Sequence, residues 1–524
     1  MRNLNSKKAY IVGGGIAGMA AAAFLIRDAG VKGENIFVFD RGAEGGGSFD
    51  GRGSAETGYI CSGYRMFEES IYSCTYDLFE CIPSPINPKK SLLDDFFKFN
   101  EKIKVHAGAR LVNAGKIIDA GRLGLNWNDR FRLTAMLYLP ECFFGAREIG
   151  QYFTADFFKS NFWFEWSTTF AFQPWHGVVE MKRYLCRFVH DAPKLDMTCV
   201  LSAPYCEHDF IIDPLEKWLK VNGVNFRQNC NVTDIEFNSN GGGKTVSGIL
   251  LQNEKREKIS ILPEDQVFIT NGSMTADAGA GSMEKAPKAA VKTSDSWKLW
   301  KNLSEKFTDF GRPSLFFGSP NKSKWESFTI TFHDLIFFKF IEKFSGNKAG
   351  TGGLITFKDS NWIMTIGIPR QPYFINQPRD VFVCWGYGMR PDADGNFVKK
   401  KMSECSGREI LEELCYHLGL RKDAPEILDG AICIPVMMPY ITSQFMPHQK
   451  TDRPVVVPAG SHNFAFIGQF VEIPGEIVFT VECSIRSAKI AVKKLLNLSG
   501  KIPPIHSGKF NLKVLFNAVK TILR

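Results

Sequence analysis

The sequence predicts an α/β fold with a nucleotide-binding lobe assembled from separated stretches of chain, and three observations carry that prediction. A glycine-rich turn, Gly13-Gly14-Gly15-Ile16-Ala17-Gly18, follows a short apolar run and opens an alanine-rich one. An acid, Asp40, closes a second apolar run about twenty residues further on. Strand and helix patterning of the same kind then returns in the middle of the chain and again near its end.

Taken in order, Ala9 to Val12 reads as a strand, Ile16 to Asp28 as a helix and Asn35 to Asp40 as a second strand, together a Rossmann-type βαβ unit. A glycine-rich connection runs from Gly42 to Gly58, where missing side chains let backbone approach a ligand closely. Residues from about Ser91 to Phe170 read as helix and irregular structure rich in aromatics. The segment PLEKWLKVNGVNF reads as a helix ended by Gly223, and NVTDIEF and QVFITNG read as strands. Phe316 to Asp392 reads as apolar strands alternating with turns. A helix is expected from Gly407 to Leu420, a strand at Ala465 to Phe470 and a last helix from Phe479 to Asn497.

Composition bounds the function. A chain of 524 residues is long enough for two or three domains, and 44% hydrophobic residues supply a large core. The 45 phenylalanines suit a lipid-accepting interior, although an aromatic core alone explains such a count as readily. A net charge of +9 is modest, and no basic block or nucleic-acid motif accompanies it, so no nucleic-acid partner is expected. Thirteen cysteines without CxxC or Cys/His spacing point to reduced thiols in a cytoplasmic protein, with no metal site. No apolar stretch precedes the first strand and none approaches the roughly 20 residues of a spanning helix, so neither a secretory signal nor a membrane span is expected.

The glycine turn carries chemistry because its backbone N–H groups and the following helix dipole can receive a pyrophosphate, while Asp40 is placed for a ribose hydroxyl. By analogy with flavoproteins, Gly45-Gly46-Gly47-Ser48 and Phe466-Ile467-Gly468-Gln469 look like two ends of a channel for FAD.

Longer strings narrow this further. FLIRDAGVKGENIFVFD (24–40), YDLFECIPS (76–84), FAFQPWH (170–176), VFITNGSMT (267–275) and FIGQFVEIPGEIVFTVECSIRSA (466–488) resemble signatures of the oleate hydratases, the myosin-cross-reactive antigen family. The resemblance spans most of the chain. It implies hydration of the cis double bond of an unsaturated free fatty acid such as oleate, giving a 10-hydroxystearate type of product with no net redox change. It implies FAD contacts at Gly13, Gly15, Ala17, Gly18, Asp40, Arg41, Gly47, Ser48, Val232, Ser273, Gly468 and Thr480. It also implies Tyr184 as proton donor, a carboxylate in the flavin loop to orient water, and a homodimer.

The sequence departs from that pattern at two places. Met66 of Cys61-Ser62-Gly63-Tyr64-Arg65-Met66 stands at the family's usual Glu, and a thioether accepts hydrogen bonds too weakly to orient water. Glu68 is the preferred replacement over Glu69. Gly367, Pro369 and Tyr373 stand where relatives carry polar substrate contacts. Two other readings therefore remain: a redox flavoenzyme of amine-oxidase or desaturase type, and a lipid and flavin binder without catalysis.

The organisation expected is a FAD lobe from 1–90, 205–290 and 455–497, a mixed α+β fatty-acid lobe from 91–204 and 291–454, and a helical C-terminal region from 498–524. In the last, Leu512, Leu515, Phe516, Val519 and Leu523 share a helical face among basic residues, which suits either an anionic membrane surface or a docked helix.

Overall fold

The computed structural model describes residues 7–191, 197–240, 242–252, 256–288, 295–506, 514 and 516. Its nucleotide-binding part is a five-stranded parallel sheet in the spatial order Phe464–Ile467, Gln266–Thr270, Ala9–Val12, Ile36–Phe39, Asn225–Arg227. Ala9 pairs with Ile36 on one side and Gln266 on the other, so the first strand lies at the centre. The first four of these strands are apolar because helices cover both faces of a parallel sheet, whereas the edge strand Asn225–Arg227 is polar and partly exposed. The helix Ile16–Arg27 is buried from Ile16 through Leu25 and packs against the long helix Val481–Leu495. That explains its uniform alanine and methionine content: a helix buried all round needs small apolar residues rather than an amphipathic stripe.

A three-stranded antiparallel sheet, Asn231–Asn240, Gly243–Gln252 and Arg256–Ser260, extends the same part of the molecule. The other large element is an eight-stranded mixed sheet in the order Gly279–Ala280, Ala431–Met438, Trp325–Phe332, Phe382–Gly388, Met364–Gly367, Ile355–Phe357, Leu111–Asn113, Lys116–Ile118. Every residue of Trp325–Phe332 is buried, polar ones included, because the strand has neighbours on both edges and cover on both faces.

Several sequence expectations change here. Within Phe316 to Asp392, IFFKFIEKFS forms a helix, Ile336–Ser345, its Phe337, Phe338 and Ile341 falling on one face at helical spacing. Leu111–Asn113 and Lys116–Ile118, inside a stretch read as helical and irregular, form an edge hairpin of the large sheet around Ala114 and Gly115, both at positive φ. Gly279–Ala280, assigned by the sequence to the nucleotide lobe, pairs with Val436 and Met437 of the large sheet. The C-terminal amphipathic helix expected over Lys509–Arg524 lies outside the described residues, except for Val514 and Phe516. No helix of the described residues is long and apolar enough to cross a membrane.

Candidate functional site

One cavity is a cleft of about 380 Å³ at the carboxyl ends of the parallel strands, where open α/β sheets hold their ligands. Gly13, Gly15, Ala17, Asp40, Arg41, Gly47, Ser48, Val232, Ser273 and Gly468 all line it. Gly13 takes φ +101°, and a Cβ there would meet Thr270 Oγ1 at 2.9 Å. The Asp40 carboxylate accepts the backbone N–H groups of Gly14 at 2.5 Å and Gly42 at 2.6 Å, tying the turn to the second strand. Burial pushes its carboxyl up despite those two hydrogen bonds.

The cleft fits a dinucleotide by a second criterion. Thr270 Oγ1, Asn271 Oδ1 and Nδ2, and Gln469 Oε1 are buried without a partner among the described residues, and all three residues line it. Buried polar atoms of this kind are costly unless something satisfies them. Two expected cofactor contacts are placed elsewhere. Gly18 does not line the cleft; a Cβ there would lie 2.0 Å from the Gly13 carbonyl oxygen, so its role is close helix-to-turn packing. Thr480 lies on the wall of the second cavity and caps the helix Val481–Leu495, accepting from Cys483 N at 3.4 Å.

The second cavity, about 270 Å³, is apolar and aromatic. Tyr184, Met66 and Glu68 are all on its wall, whereas Glu69 is exposed. Arg65 joins the two cavities: it lines the second, and its Nη2 donates to the Ser48 carbonyl of the first at 3.1 Å.

Tyr184 lies on the helix Val178–Phe188 and is 1% exposed. Phe170, Phe172 and Phe445 pack edge-on against its ring and Phe188 stacks on it. Its hydroxyl donates to the Val478 carbonyl. Burial pushes the phenol well up, so it stays protonated across the physiological range. The helix is fastened beside it by buried ion pairs: Arg183 Nη2 to Glu472 at 2.7 Å and Arg187 Nη2 to Glu476 at 2.8 Å. Thus Glu472, Glu476 and Val478 of the string VEIPGEIVF hold the tyrosine from one side.

Glu68 is 8% exposed. Its Oε2 accepts from Ser70 N, Ser70 Oγ and Ile71 N at 2.8 to 2.9 Å, and His190 Nε2 lies 3.4 Å from Oε1. Burial opposes its charge, but the His190 and Ser70 hydrogen bonds outweigh it and hold the carboxyl below the usual range. Glu68 is therefore an oriented, ionised carboxylate on the cavity wall.

Gly367, Pro369 and Tyr373 do not line this cavity. A Cβ on Gly367 would be 3.4 to 3.7 Å from Leu354, Tyr64 and Trp385, three residues that do, so the position stands directly behind the wall. Tyr373 is buried beside the loop, donating to Glu207 at 3.2 Å, with Cys61 Sγ 3.7 Å away. Burial pushes the Glu207 carboxyl to about 7, against Arg65 and the hydrogen bonds from Arg65 N and Tyr373.

Sequence reasoning missed Glu207, Arg110 and Glu165, of which the last two line the cavity. Two signals were available: a lone Arg in ALVN-type apolar surroundings (Ala109, Leu111, Val112) and a lone acid in the aromatic run FWFEW.

Comparison with known proteins agrees with this geometry. The chain is 38% identical to an oleate hydratase of Streptococcus pyogenes serotype M49 (strain NZ131), over 98% of this chain and 89% of the relative. It is 32% identical to a linoleate hydratase of Lactiplantibacillus plantarum, over 92% of each. Among solved structures it shares its fold with the PF1083 protein from Pyrococcus furiosus (TM-score 0.51, 14% identity, 94% of this chain and 99% of that one). Cyclohexylamine oxidase from Brevibacterium oxydans IH-35A is similar to the same extent (TM-score 0.51, 12% identity, 94% and 99%). The profile of the MCRA family matches residues 6–493, and the chain belongs to that family.

Proposed function

We propose that the protein is a hydro-lyase that adds water across a cis double bond of an unsaturated fatty acid, with FAD in the cleft and the acyl chain in the apolar cavity. The observation that carries this reading is the wall of that cavity: a protonated phenol, Tyr184, and an ionised carboxylate, Glu68, share one apolar space. The hydratase relatives support the reaction class.

An alkene is a very weak base, so protonation demands an acid held in position, and addition demands a water aimed at the carbon left electron-poor. The Tyr184 Oη proton, drawn out of its hydrogen bond to Val478, forms the new C–H bond. The oxygen of a water held by Glu68 forms the new C–O bond at the neighbouring carbon. The proton that this water sheds passes to the Glu68 carboxylate; Glu68 then releases it and the tyrosinate takes one up, by exchange with solvent as product leaves, so both groups return to their starting states. The aromatic wall excludes other water, which favours addition at one carbon and raises the strength of each polar contact. FAD, when bound, supplies electrostatic and architectural support without net electron transfer. Gly13, Gly15 and the start of Ile16–Arg27 would hold its pyrophosphate, and Asp40 its ribose.

Incubation of the flavin-loaded protein with oleate and with linoleate, followed by mass spectrometry of the extracted acids, tests this. A product heavier by one water is expected. Flavin bleaching with stoichiometric oxidation of the lipid would instead indicate a redox enzyme. Bound lipid without product would indicate a binder, the outcome that Met66 makes worth testing.

A further inference from the structure

The fatty-acid reading leaves one end of the substrate without a partner. Gly367, Pro369 and Tyr373 do not line the cavity, and the first two carry no side-chain donor. A carboxylate taken into an apolar space needs a counter-charge or several donors.

We infer that the cavity binds the fatty-acid carboxylate through Arg110, assisted by Glu165 and by the indole N–H groups of Trp166 and Trp385. Arg110 is 2% exposed and lines the cavity. Its partners are the carbonyls of Leu354 (3.3 Å) and Glu165 (2.9 Å) and the hydroxyls of Thr356 (3.0 Å), Thr168 (3.2 Å) and Thr169 (2.7 Å). None is an anion. A guanidinium keeps its charge in proteins even where burial lowers its pKa, as here, and a buried cation with only neutral partners is expensive. Arg65, the other guanidinium on the wall, stacks on Phe49 and donates to Ser48 in the nucleotide cleft.

Other groups on the cavity wall suit an anion. Glu165 is 8% exposed, and its Oε1 has no partner among the described residues. Burial pushes its carboxyl to about 8 although Arg110 draws it down, so at neutral pH it is a neutral group able to donate a proton to a second carboxylate. The indole nitrogens of Trp166 and Trp385 are buried without a partner among the described residues, and both residues line the same cavity. The cavity wall therefore offers donors and a positive charge. Arg110 and Tyr184 are both tied to the helix Asn161–Phe170: Thr168 accepts from Arg110, and the Phe170 ring packs on Tyr184 at 5.0 Å.

The inference rests on the fatty-acid reading, and its test uses binding so that the two can fail separately. In the full-length, flavin-loaded protein, quenching of tryptophan fluorescence on rapid mixing reads the affinity for oleate and for methyl oleate before turnover. Arg110→Gln is expected to weaken oleate at least tenfold and the ester less than twofold, with Arg110→Lys recovering part of the preference. An acid-to-ester ratio unchanged in folded Arg110→Gln overturns the inference. Should that variant not fold, the wild-type protein decides: the carboxyl resonance of bound [1-13C]oleate is expected to remain that of a carboxylate at pH values where free micellar oleate is protonated. A resonance titrating as the free acid does overturns the inference. Oleate held through Arg110 without gaining water would overturn the hydratase reading alone.

Discussion

The nucleotide cleft and the apolar cavity meet at Arg65, yet they are built from opposite materials. The cleft is made of backbone: glycines at positive φ, strand ends and a helix N-terminus, with Asp40 holding two backbone N–H groups. The cavity is made of side chains: a phenol, a carboxylate, a guanidinium and a ring of aromatics drawn from many separate stretches of chain between Tyr64 and Val481. Added bulk should therefore destroy the cleft, whereas the cavity should tolerate conservative changes structurally and lose only chemistry.

The strongest way to break this contrast is Gly18→Ala. One methyl placed 2.0 Å from the Gly13 carbonyl oxygen forces helix and turn apart, at a cost of about 1–3 kcal/mol or more where backbone must move. The purified protein should have lost its flavin absorbance and melt well below wild type; a flavin-loaded Gly18→Ala protein would show that the turn is more pliable than its packing implies.

Tyr184→Phe is the corresponding test of the cavity. The aromatic packing survives and one hydroxyl is lost, so flavin content should be unchanged while turnover falls by about 10² to 10⁴, the usual contribution of a general acid. Wild-type turnover in this variant would remove Tyr184 from the mechanism.

The same contrast decided what was legible in the sequence. A backbone site is written locally, because a short strand, a glycine turn and an acid at fixed spacing lie in one stretch of 32 residues between Ala9 and Asp40. The cavity is written in long-range contacts: Arg110 meets Thr356 across the large sheet, and Tyr184 meets Val478. No periodicity encodes such pairs, which is why Arg110 and Glu165 went unseen and why Gly367 and Tyr373, carried over by resemblance, proved to stand behind the wall. Buried pairs also explain why VEIPGEIVF is so specific a string: Glu472 and Glu476 each neutralise an arginine on the helix that carries Tyr184.

Glu68→Gln should have a smaller effect, because the amide oxygen keeps the shape and can still hold the water although it cannot take the water's proton: a fall of about tenfold to a hundredfold, of the order caused by slight misplacement of a reactant. Its pH signature is specific. With the Glu68 carboxyl held below the usual range, the carboxylate persists until pH drops below roughly 4.3, the ordinary value. Wild-type turnover should therefore keep an acid limb below that point, and the variant should lack it. Identical acid limbs would assign the titration to another group.

The subtlest comparison is within the cavity, between Glu68, held charged, and Glu165, held neutral. Glu165 has a folded pKa of about 8, above its unfolded value of roughly 4.3. Between those values the folded protein retains a proton that the unfolded chain releases, so stability falls as pH rises through the window and levels off above it. Glu165→Gln removes the titration while retaining a neutral side chain of the same shape. The variant should melt close to wild type near pH 4 and progressively higher than wild type towards pH 8. Bound fatty acid should enlarge the change in that gap between pH 4 and pH 8, since a carboxylate beside Arg110 gives the Glu165 proton an acceptor, raises the folded pKa further and carries the fall in stability to higher pH. Thermal melts at pH 4, 6 and 8, with and without oleate, read both effects; curves that run parallel at every pH would mean that Glu165 is ionised in the fold and already serves as the counter-charge of Arg110.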